Sequence, residues 1–340
     1  MTSFHLRWIP AALSALCVGL ASVAAHAVEK DKVVIAVGGK ALFYYLPLTI
    51  AEQKGYFKEA GVNVEVVDFA GGSKALQAVV GGSADVVSGA YEHTIKLQTK
   101  KQYFTAFVQQ ARAPQIVLAV SNKTMPNYKS VADLKGKKIG VTAPGSSTNM
   151  VASFVLDAAG VNPSDVSFIG VGAGAGAVAA MSTGQIDAIS NLDPVISTLE
   201  RDGLITVVTD TRKMAATRDV FGGDMPAGSL YAPESFIQAN PKTVQAMTNA
   251  MVKAAKWLQT ASADDVLKTV PAGYTLGDPA LYKQTFNSLK EAMSPDGMIS
   301  EAGAETALKA LTTFDPKVKA DDVDLSRTFT NDFVRRALSQ

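Results

Sequence analysis

Three turns rich in glycine and hydroxyl side chains each lie between a predicted strand and a predicted helix. They are Gly71-Gly72-Ser73, Gly145-Ser146-Ser147-Thr148 and Gly172-Ala173-Gly174. The first N–H groups of a helix lack intrahelical partners and carry the positive end of its dipole, so such a turn can hold an anion without a cationic side chain. The alternative is ordinary capping, for which serine and threonine are favoured. We expect turns of this kind to bind a small organic anion.

Residues that could support covalent or acid–base catalysis are few. Residues 145–149 lack the last glycine of the nucleophile elbow Gly-x-Ser-x-Gly, because Asn149 stands in its place. His93 has no accompanying nucleophile motif, and we expect it on a helix surface or a cleft rim. Asp85 and Asp187 could be paired carboxylates for acid–base work, but the pattern favours a structural role in which each ends the turn into its strand and holds loop N–H groups. We predict no catalytic residue.

The first 27 residues have the features of a cleaved secretory signal peptide. Arg7 precedes an apolar run, and Ala25-His26-Ala27 forms a small-x-small cleavage site. We therefore expect the protein in the periplasm. Removal of this leader takes away the one cysteine, Cys17, and two of the three histidines. The remaining chain offers no His/Cys metal site, and we predict no metal and no cofactor.

Two further function classes are disfavoured by composition and location. The chain has 32 basic and 31 acidic residues, without the basic excess of a nucleic-acid-binding protein. The stretch from Gly172 fits the dinucleotide fingerprint Gly-x-Gly-x-x-Ala, with Asp193 about 20 residues further on. Export from the cytoplasm, where the nucleotide pool lies, argues against that interpretation.

A short sequence unit occurs twice and predicts two similar lobes. Gly82, Asp85 and Ser88 recur at the same spacing as Gly184, Asp187 and Ser190, each copy following an apolar run, a glycine-rich turn and a predicted helix. The alternative is that any two strand–helix–strand units look alike. With 340 residues, the length favours about two domains. We place the first lobe at residues 28–120 and 224–340 and the second at 121–223.

The order of elements predicts the fold class. Strand and helix patterns alternate, as in "KVVIAVGG", "YLPLTIAEQKGYF" and "VNVEVVDF", which predicts an α/β fold whose mostly parallel sheets are covered on both faces. Ligands of such sheets bind at the carboxyl ends of the strands. The helical stretches after Asn240 carry stripes of methionine and aromatic residues that we assign to the core.

The motifs "GYFKEAGV", "DLKGKKIGV", "GGSKALQAVVGGSADVVSG" and "TGQIDAISNLDP" resemble those of the nitrate/sulfonate/taurine family of substrate-binding proteins of ABC importers. The resemblance spans most of the chain after residue 27. It implies the two-lobed periplasmic-binding-protein fold (type II-like), with two crossing strands and ligand in the cleft. It also implies a monomer that binds a small molecule, breaks no bond, and delivers its ligand to a permease and an ATPase.

The resemblance places a set of residues around the cleft. In the first lobe these are Gly39, Lys40, Phe43, Tyr44, Gly72, Ser73, Ser88, Gly89 and Tyr91, and in the second Gly145, Ser146, Ser147, Thr148, Asn191 and Asp193.

Two departures from related patterns leave the ligand open. Some aliphatic sulfonate binders have a tryptophan where this chain has Ser190-Asn191-Leu192, and the cysteine-rich motif of pyrimidine-precursor binders is absent. A sulfonate, nitrate, taurine-like compound, carboxylate or flat heterocycle such as a pyrimidine precursor therefore remains open. A periplasmic enzyme and a ligand-sensing module on the same fold are the alternative functions.

Overall fold

The computed structural model describes residues 1–2 and 28–340, so the predicted leader lies almost wholly outside the described residues. The strands are β1 Lys32–Gly38, β2 Asn63–Phe69, β3 Val86–Ala90, β4 Phe104–Gln109, β5 Val117–Ser121, β6 Lys138–Val141, β7 Ser167–Gly170, β8 Ala188–Asn191, β9 Ile205–Asp210 and β10 Gly228–Pro233. The helices are α1 Leu46–Gln53, α2 Tyr56–Glu59, α3 Gly72–Val80, α4 Glu92–Gln98, α5 Ser147–Ala158, α6 Ala175–Thr183, α7 Val195–Arg201, α8 Met214–Phe221, α9 Glu234–Ala239, α10 Pro241–Thr260, α11 Ala263–Thr269, α12 Pro279–Leu289, α13 Glu301–Phe314 and α14 Asp332–Leu338.

Two five-stranded sheets of matching topology form the cores of two lobes. The first has the order β2-β1-β3-β10-β4 and the second the order β7-β6-β8-β5-β9. In each sheet one strand is antiparallel to its neighbours, β10 in the first and β5 in the second. Each of these strands enters from the other lobe, because β5 follows β4 and β10 follows β9 along the chain. The predicted α/β fold with mostly parallel sheets is confirmed.

The repeated aspartates have the same structural role in both lobes. The Asp85 N–H donates to the Val34 carbonyl, and Asp85 Oδ2 accepts from the Val34 N–H at 2.9 Å. Asp187 does the same with Lys138, whose N–H donates to Oδ2 at 3.0 Å. The repeat therefore marks the start of β3 and of β8, where each aspartate binds the neighbouring strand. The predicted structural role is confirmed, although the N–H groups belong to strands rather than to loops.

We expect Asp85→Ala and Asp187→Ala to lower the free energy of unfolding by similar amounts, about 1.5 kcal/mol each, because each removes a charged acceptor from a strand N–H. Asp264→Ala is the control, since Asp264 is exposed and pairs only with Lys283 in the residues described; it should cost less than about 0.5 kcal/mol. Urea unfolding of the three variants measures the losses. A large loss at one repeat and none at the other would contradict the matching roles.

Two crossing segments, residues 110–116 and 211–227, run beside each other between the lobes. Thr211 exchanges backbone hydrogen bonds with Gln115 and Ile116, and Ala227 donates to Ala111. The predicted boundary between residues 120 and 121 cuts β5, whose residues Val117 to Val120 pair with β8 and β9. The first part of lobe one therefore ends before Val117. The apolar run of β5 does not reveal from sequence which sheet it joins. From the predicted lobe boundaries we also expect residues 121–223 to fold on their own, and this stays a prediction.

The long helices after residue 240 pack on the first lobe. Met247 and Met251 of α10 and Tyr282 and Phe286 of α12 are at most 2% exposed, as the stripes predict. Asp278 caps α12 by accepting from the N–H of Leu281, with Pro279 at the first helical position. Within the described residues, no helix has the length and apolar character needed to cross a membrane.

Candidate functional site

The Gly71–Ser73 and Gly145–Ser147 turns face each other across the lobes and are joined by hydrogen bonds. The Ser73 N–H donates to Ser146 Oγ at 3.0 Å, the two hydroxyl oxygens lie 3.1 Å apart, and Ser73 Oγ donates to the Pro144 carbonyl at 2.9 Å. We call this contact the serine clasp. Ser146 occupies the N-cap position of α5, but its hydroxyl makes no capping bond. The two turns therefore meet at the lobe interface, and the sequence did not reveal that they bind each other.

A pocket of about 320 Å³ lies beside the serine clasp, between α4 and α13 of the first lobe and α5 of the second. We call it the interlobe pocket. Its polar lining includes Glu92, His93, Lys96, Ser146, Asn149 and Asp315, and its apolar lining includes Met150, Phe168, Leu311 and Phe314. An apolar cavity with a few convergent polar groups is the usual form of a small-molecule site.

Glu92 is the first residue of α4 and is almost wholly buried. Its side chain lines the interlobe pocket, and Oε1 has no hydrogen-bond partner among the described residues. Burial raises the pKa of Glu92 to about 7, although its own backbone N–H and the charge of Lys96 oppose that rise. A carboxyl group with an unpaired buried oxygen gains free energy when a ligand supplies a donor.

His93, expected at a surface or rim, is instead 4% exposed, at the base of the same pocket. Its Nδ1 lies 2.8 Å from the hydroxyl oxygen of Tyr231, and Nε2 has no hydrogen bond of acceptable geometry among the described residues. Burial lowers the pKa of His93 to about 4, and the backbone of Gly145 opposes the shift only in part. The imidazole is therefore neutral at neutral pH, with Nε2 available to a ligand.

Three buried tyrosines form the wall behind Glu92. Tyr44 and Tyr45 lie in a 3₁₀ turn, Phe43–Tyr45, and Tyr231 lies in β10. Burial and then the charge of Glu92 raise the pKa of Tyr44 and Tyr45. The Ser147 side chain of the second lobe opposes the rise at Tyr44. These hydroxyls remain protonated and act as neutral hydrogen-bonding groups.

The pKa of Glu92 leads to a prediction about stability. Because this pKa is raised from 4.5 to about 7 in the folded chain, the folded state keeps a proton that the unfolded state has lost. This contribution to stability is complete below pH 4.5 and is lost as the pH rises through about 7. We expect the stability of the wild type relative to Glu92→Gln to fall by about 2 kcal/mol between about pH 5 and pH 7.

Chemical unfolding of both proteins across this pH range measures the difference. The opposite contribution of His93 is present in both proteins and cancels. Glu305→Gln, on the exposed face of α13, is the matched control, and its free energy of unfolding should change with pH as that of the wild type does. If the free energy of unfolding of Glu92→Gln also follows the wild type across this pH range, Glu92 titrates normally.

The other predicted site residues are mostly engaged within the protein. Gly39 and Lys40 donate their N–H groups to Asp68, and the Lys40 ammonium pairs with Glu52 at 2.7 Å. The Phe43 N–H donates to the Asp193 carbonyl, and the Phe43 ring packs on Tyr282. Ser88 Oγ accepts from Gln110, Tyr91 is hydrogen-bonded to Thr328, and Thr148 to Thr142. Asn191 is hydrogen-bonded to Gly172 and Leu192, and Asp193 Oδ1 accepts from the Ser197 N–H.

Several of the predicted residues lie at or beside the contact between lobes. They are Phe43, Tyr44, Gly72, Ser73, Gly145, Ser146, Ser147 and Asp193. Gly89 packs against Tyr231, and a Cβ there would lie 2.7 Å from the tyrosine hydroxyl. Ser88, Tyr91 and Thr148 support the loops from within. No three His, Cys, Asp or Glu side chains in the described part of the chain converge as a metal site.

Comparison with known proteins gives the family. The model of the NMT1-like family matches residues 27–270. The chain belongs to the NMT1-like family. A protein of solved structure from Bordetella bronchiseptica RB50 is 62% identical, with 92% of this chain and 98% of that chain covered and a TM-score of 0.91. YtlA of Bacillus subtilis (strain 168), named as a candidate binding protein, is 26% identical, with 76% of each chain covered.

More distant solved structures share the fold. The alkanesulfonate-binding protein SsuA of Xanthomonas axonopodis pv. citri, bound to MOPS, has a TM-score of 0.69 at 19% identity, with 90% of this chain and 100% of that chain covered. The predicted family resemblance and two-lobed fold of this NMT1-like chain are therefore confirmed.

Sequence reasoning did not place Glu92 and His93 of this NMT1-like chain in the interlobe pocket. The pair directly follows Tyr91, the last first-lobe position that the resemblance placed at the cleft. An acid and an imidazole immediately after the carboxyl end of a buried strand are a usable signal, because strands of this fold class present their ligands there.

Proposed function

We propose that this protein is a solute-binding protein that captures a small organic molecule in the interlobe pocket and delivers it to the permease and ATPase of an ABC importer. The observation that carries the proposal is a pair of buried polar atoms, Glu92 Oε1 and His93 Nε2, which have no hydrogen-bond partner in the described part of the chain and lie beside the start of α5 in the other lobe. Leaving such groups unpaired costs about 1–3 kcal/mol each. A ligand that pairs them recovers that cost.

Ligand capture couples to lobe closure through contacts on both sides. A molecule in the pocket contacts α4 and α13 of one lobe and α5 of the other, so it binds the closed arrangement more tightly than an open one. The ligand shifts the equilibrium between open and closed arrangements only by the difference between its affinities for the two. The two crossing segments are the connection about which the lobes move. No covalent step is needed, and the protein acts as a binding protein rather than an enzyme.

The charge of the ligand decides between the two ligand classes predicted from sequence. An organic anion would use the N–H groups at the starts of α3 and α5, where the hydroxyls of Ser73 and Ser146 already bind each other. A flat heterocycle is favoured by Glu92, whose unpaired carboxyl oxygen accepts from ring or exocyclic N–H groups. We also propose that the protein works in the periplasm after removal of residues 1–27.

Thermal-shift and calorimetric titration test the proposal. The panel is taurine, MOPS, nitrate, benzoate, benzamidine and 4-aminopyrimidine. A compound at 100 times its dissociation constant should stabilise the fold by about 2.7 kcal/mol. In Ser153→Phe a ring enters the pocket from α5 and should abolish binding. Ala158→Phe, at an exposed position of the same helix, should leave binding unchanged. Unchanged binding in Ser153→Phe would place the ligand elsewhere.

A further inference from the structure

The charged side chains that line the interlobe pocket are two acids and one base. They are Glu92, Asp315 and Lys96. Lys96 Nζ and Asp315 Oδ2 lie 2.7 Å apart and neutralise each other, while the Lys96 side chain is 44% exposed. Glu92 is thus the charged lining residue without a salt-bridge partner among the described residues. A buried charge is stable only when it is paired or hydrogen-bonded, so Glu92 favours a ligand that brings donors.

The groups facing Glu92 from the surrounding elements do not supply such a partner. On α4 they are His93, which is neutral, and Lys96, which is held by Asp315. The 3₁₀ turn and β10 contribute the protonated hydroxyls of Tyr44, Tyr45 and Tyr231. The second lobe contributes no charged side chain to the described lining; its polar side chains there are those of Ser146, Asn149, Ser153 and Asn162. Among the described lining residues Lys96 is the one cation, and it is already paired with Asp315.

The pocket that Glu92 lines also has apolar lining residues. They include Met150 on α5 and Leu311 and Phe314 on α13. A ligand that fits both kinds of lining has a compact apolar body and a polar end rich in N–H groups. Charge-assisted hydrogen bonds from such an end to a carboxylate are about twice as strong as neutral ones.

We propose that Glu92 is the residue that determines ligand specificity, and that the interlobe pocket selects organic amines or amidines and rejects organic anions of the same size. This inference rests on the proposed function and names the ligand class of the same site. A carboxylate or sulfonate in the pocket would meet Glu92 as a like charge, which is costly across a desolvated contact. An amidinium would instead donate to Oε1 and leave its ring against Met150 and Phe314.

Benzamidinium and benzoate form a matched pair of probes, since they share a ring and carry opposite charges. We expect calorimetry at about pH 8 to show benzamidinium binding the wild type at least about tenfold more tightly than benzoate. In Glu92→Gln the ratio of the affinity for benzamidinium to that for benzoate should fall to about threefold or less, and in Glu305→Gln this ratio should equal that of the wild type. Without any substitution, the wild-type affinity for benzamidinium should rise between about pH 5.5 and pH 8 as Glu92 ionises.

The outcomes separate this inference from the proposed function. Tighter or equal binding of benzoate by the wild type, binding of neither probe, or a ratio that Glu92→Gln does not change would overturn the role of Glu92. If Ser153→Phe leaves benzamidinium binding intact, the pocket itself is wrong and the proposed function fails with it. If Ser153→Phe abolishes binding while Glu92→Gln keeps the ratio, only the specificity inference fails. A pH-independent wild-type affinity counts against the inference even if Glu92→Gln folds poorly.

Discussion

Arg212→Ala should lower the free energy of unfolding by about 4 kcal/mol, the largest loss that we expect from a single substitution in this protein. The Arg212 guanidinium donates two hydrogen bonds to Glu200, at 2.8 and 2.9 Å, and further bonds to Asp210. It also lies 3.6 Å from Oδ2 of Asp193, whose side chain is 1% exposed. Removal of the cation leaves that buried carboxylate uncompensated, which is the costly way to break an ion pair.

Arg212→Ala should also weaken a contact at the lobe interface. Burial raises the pKa of Asp193, and the charge of Arg212 is the main opposing influence. Without Arg212 the Asp193 carboxyl group loses that opposing charge, and the loop whose Asp193 carbonyl accepts from the Phe43 N–H of the other lobe loses its anchor.

Arg201→Ala is the matched control. Arg201 also binds two carboxylates, Asp202 and Asp278, but its side chain is 41% exposed. Exposed ion pairs are worth less than about 1 kcal/mol. Urea unfolding of both variants measures the two losses, and equal losses would contradict the account of Arg212.

Gly38→Ala should destabilise the first lobe by about 3 kcal/mol, because a side chain at the end of β1 has no space. A Cβ there would lie 2.2 Å from the Gly72 nitrogen and 2.3 Å from the Gly71 carbonyl carbon. These are backbone atoms at the start of α3, and α3 carries Ser73 of the serine clasp. The strand end and the helix start would have to move apart, which shifts Ser73 away from Ser146.

Thermal and urea unfolding of Gly38→Ala measure this cost. Gly273→Ala is the control, because a Cβ at that position would meet no atom of residues 28–340 within 4 Å; its effect should stay within about 0.5 kcal/mol. Similar stability of the two variants would show that the close approach of β1 and α3 is not required.

The sequence predicts the lobes because their signals are local. The repeated Gly-x-x-Asp unit predicts two matching sheets, since Asp85 and Asp187 each bind a strand brought alongside by the same strand–helix–strand order. The boundary near residue 120 was misplaced because β5 pairs with strands that follow it by more than 60 residues. Its own pattern says only that it is buried.

The candidate site was predictable from sequence only in part, because its contacts, like those of β5, join residues far apart in the chain. Hydroxyl-rich turns at helix starts are visible in the sequence, and Ser73 and Ser146 do meet at the interface. Their mutual hydrogen bonds, however, depend on how two lobes dock. The burial of Glu92 and His93 likewise follows from the packing of α4 against α13 and α5, and a short helix with one acid and one imidazole looks the same in sequence when it is exposed.

His93 gives the most direct test of the interlobe pocket as the ligand site, because it is the one histidine of three that lies within the described residues. The full chain labelled with ¹³C and ¹⁵N at histidine is titrated with the panel compound of highest affinity, and His93→Gln assigns the signal. The account predicts that the ring signals of His93 shift on binding and saturate at the dissociation constant that calorimetry gives. Full calorimetric binding with unmoved His93 signals would contradict it.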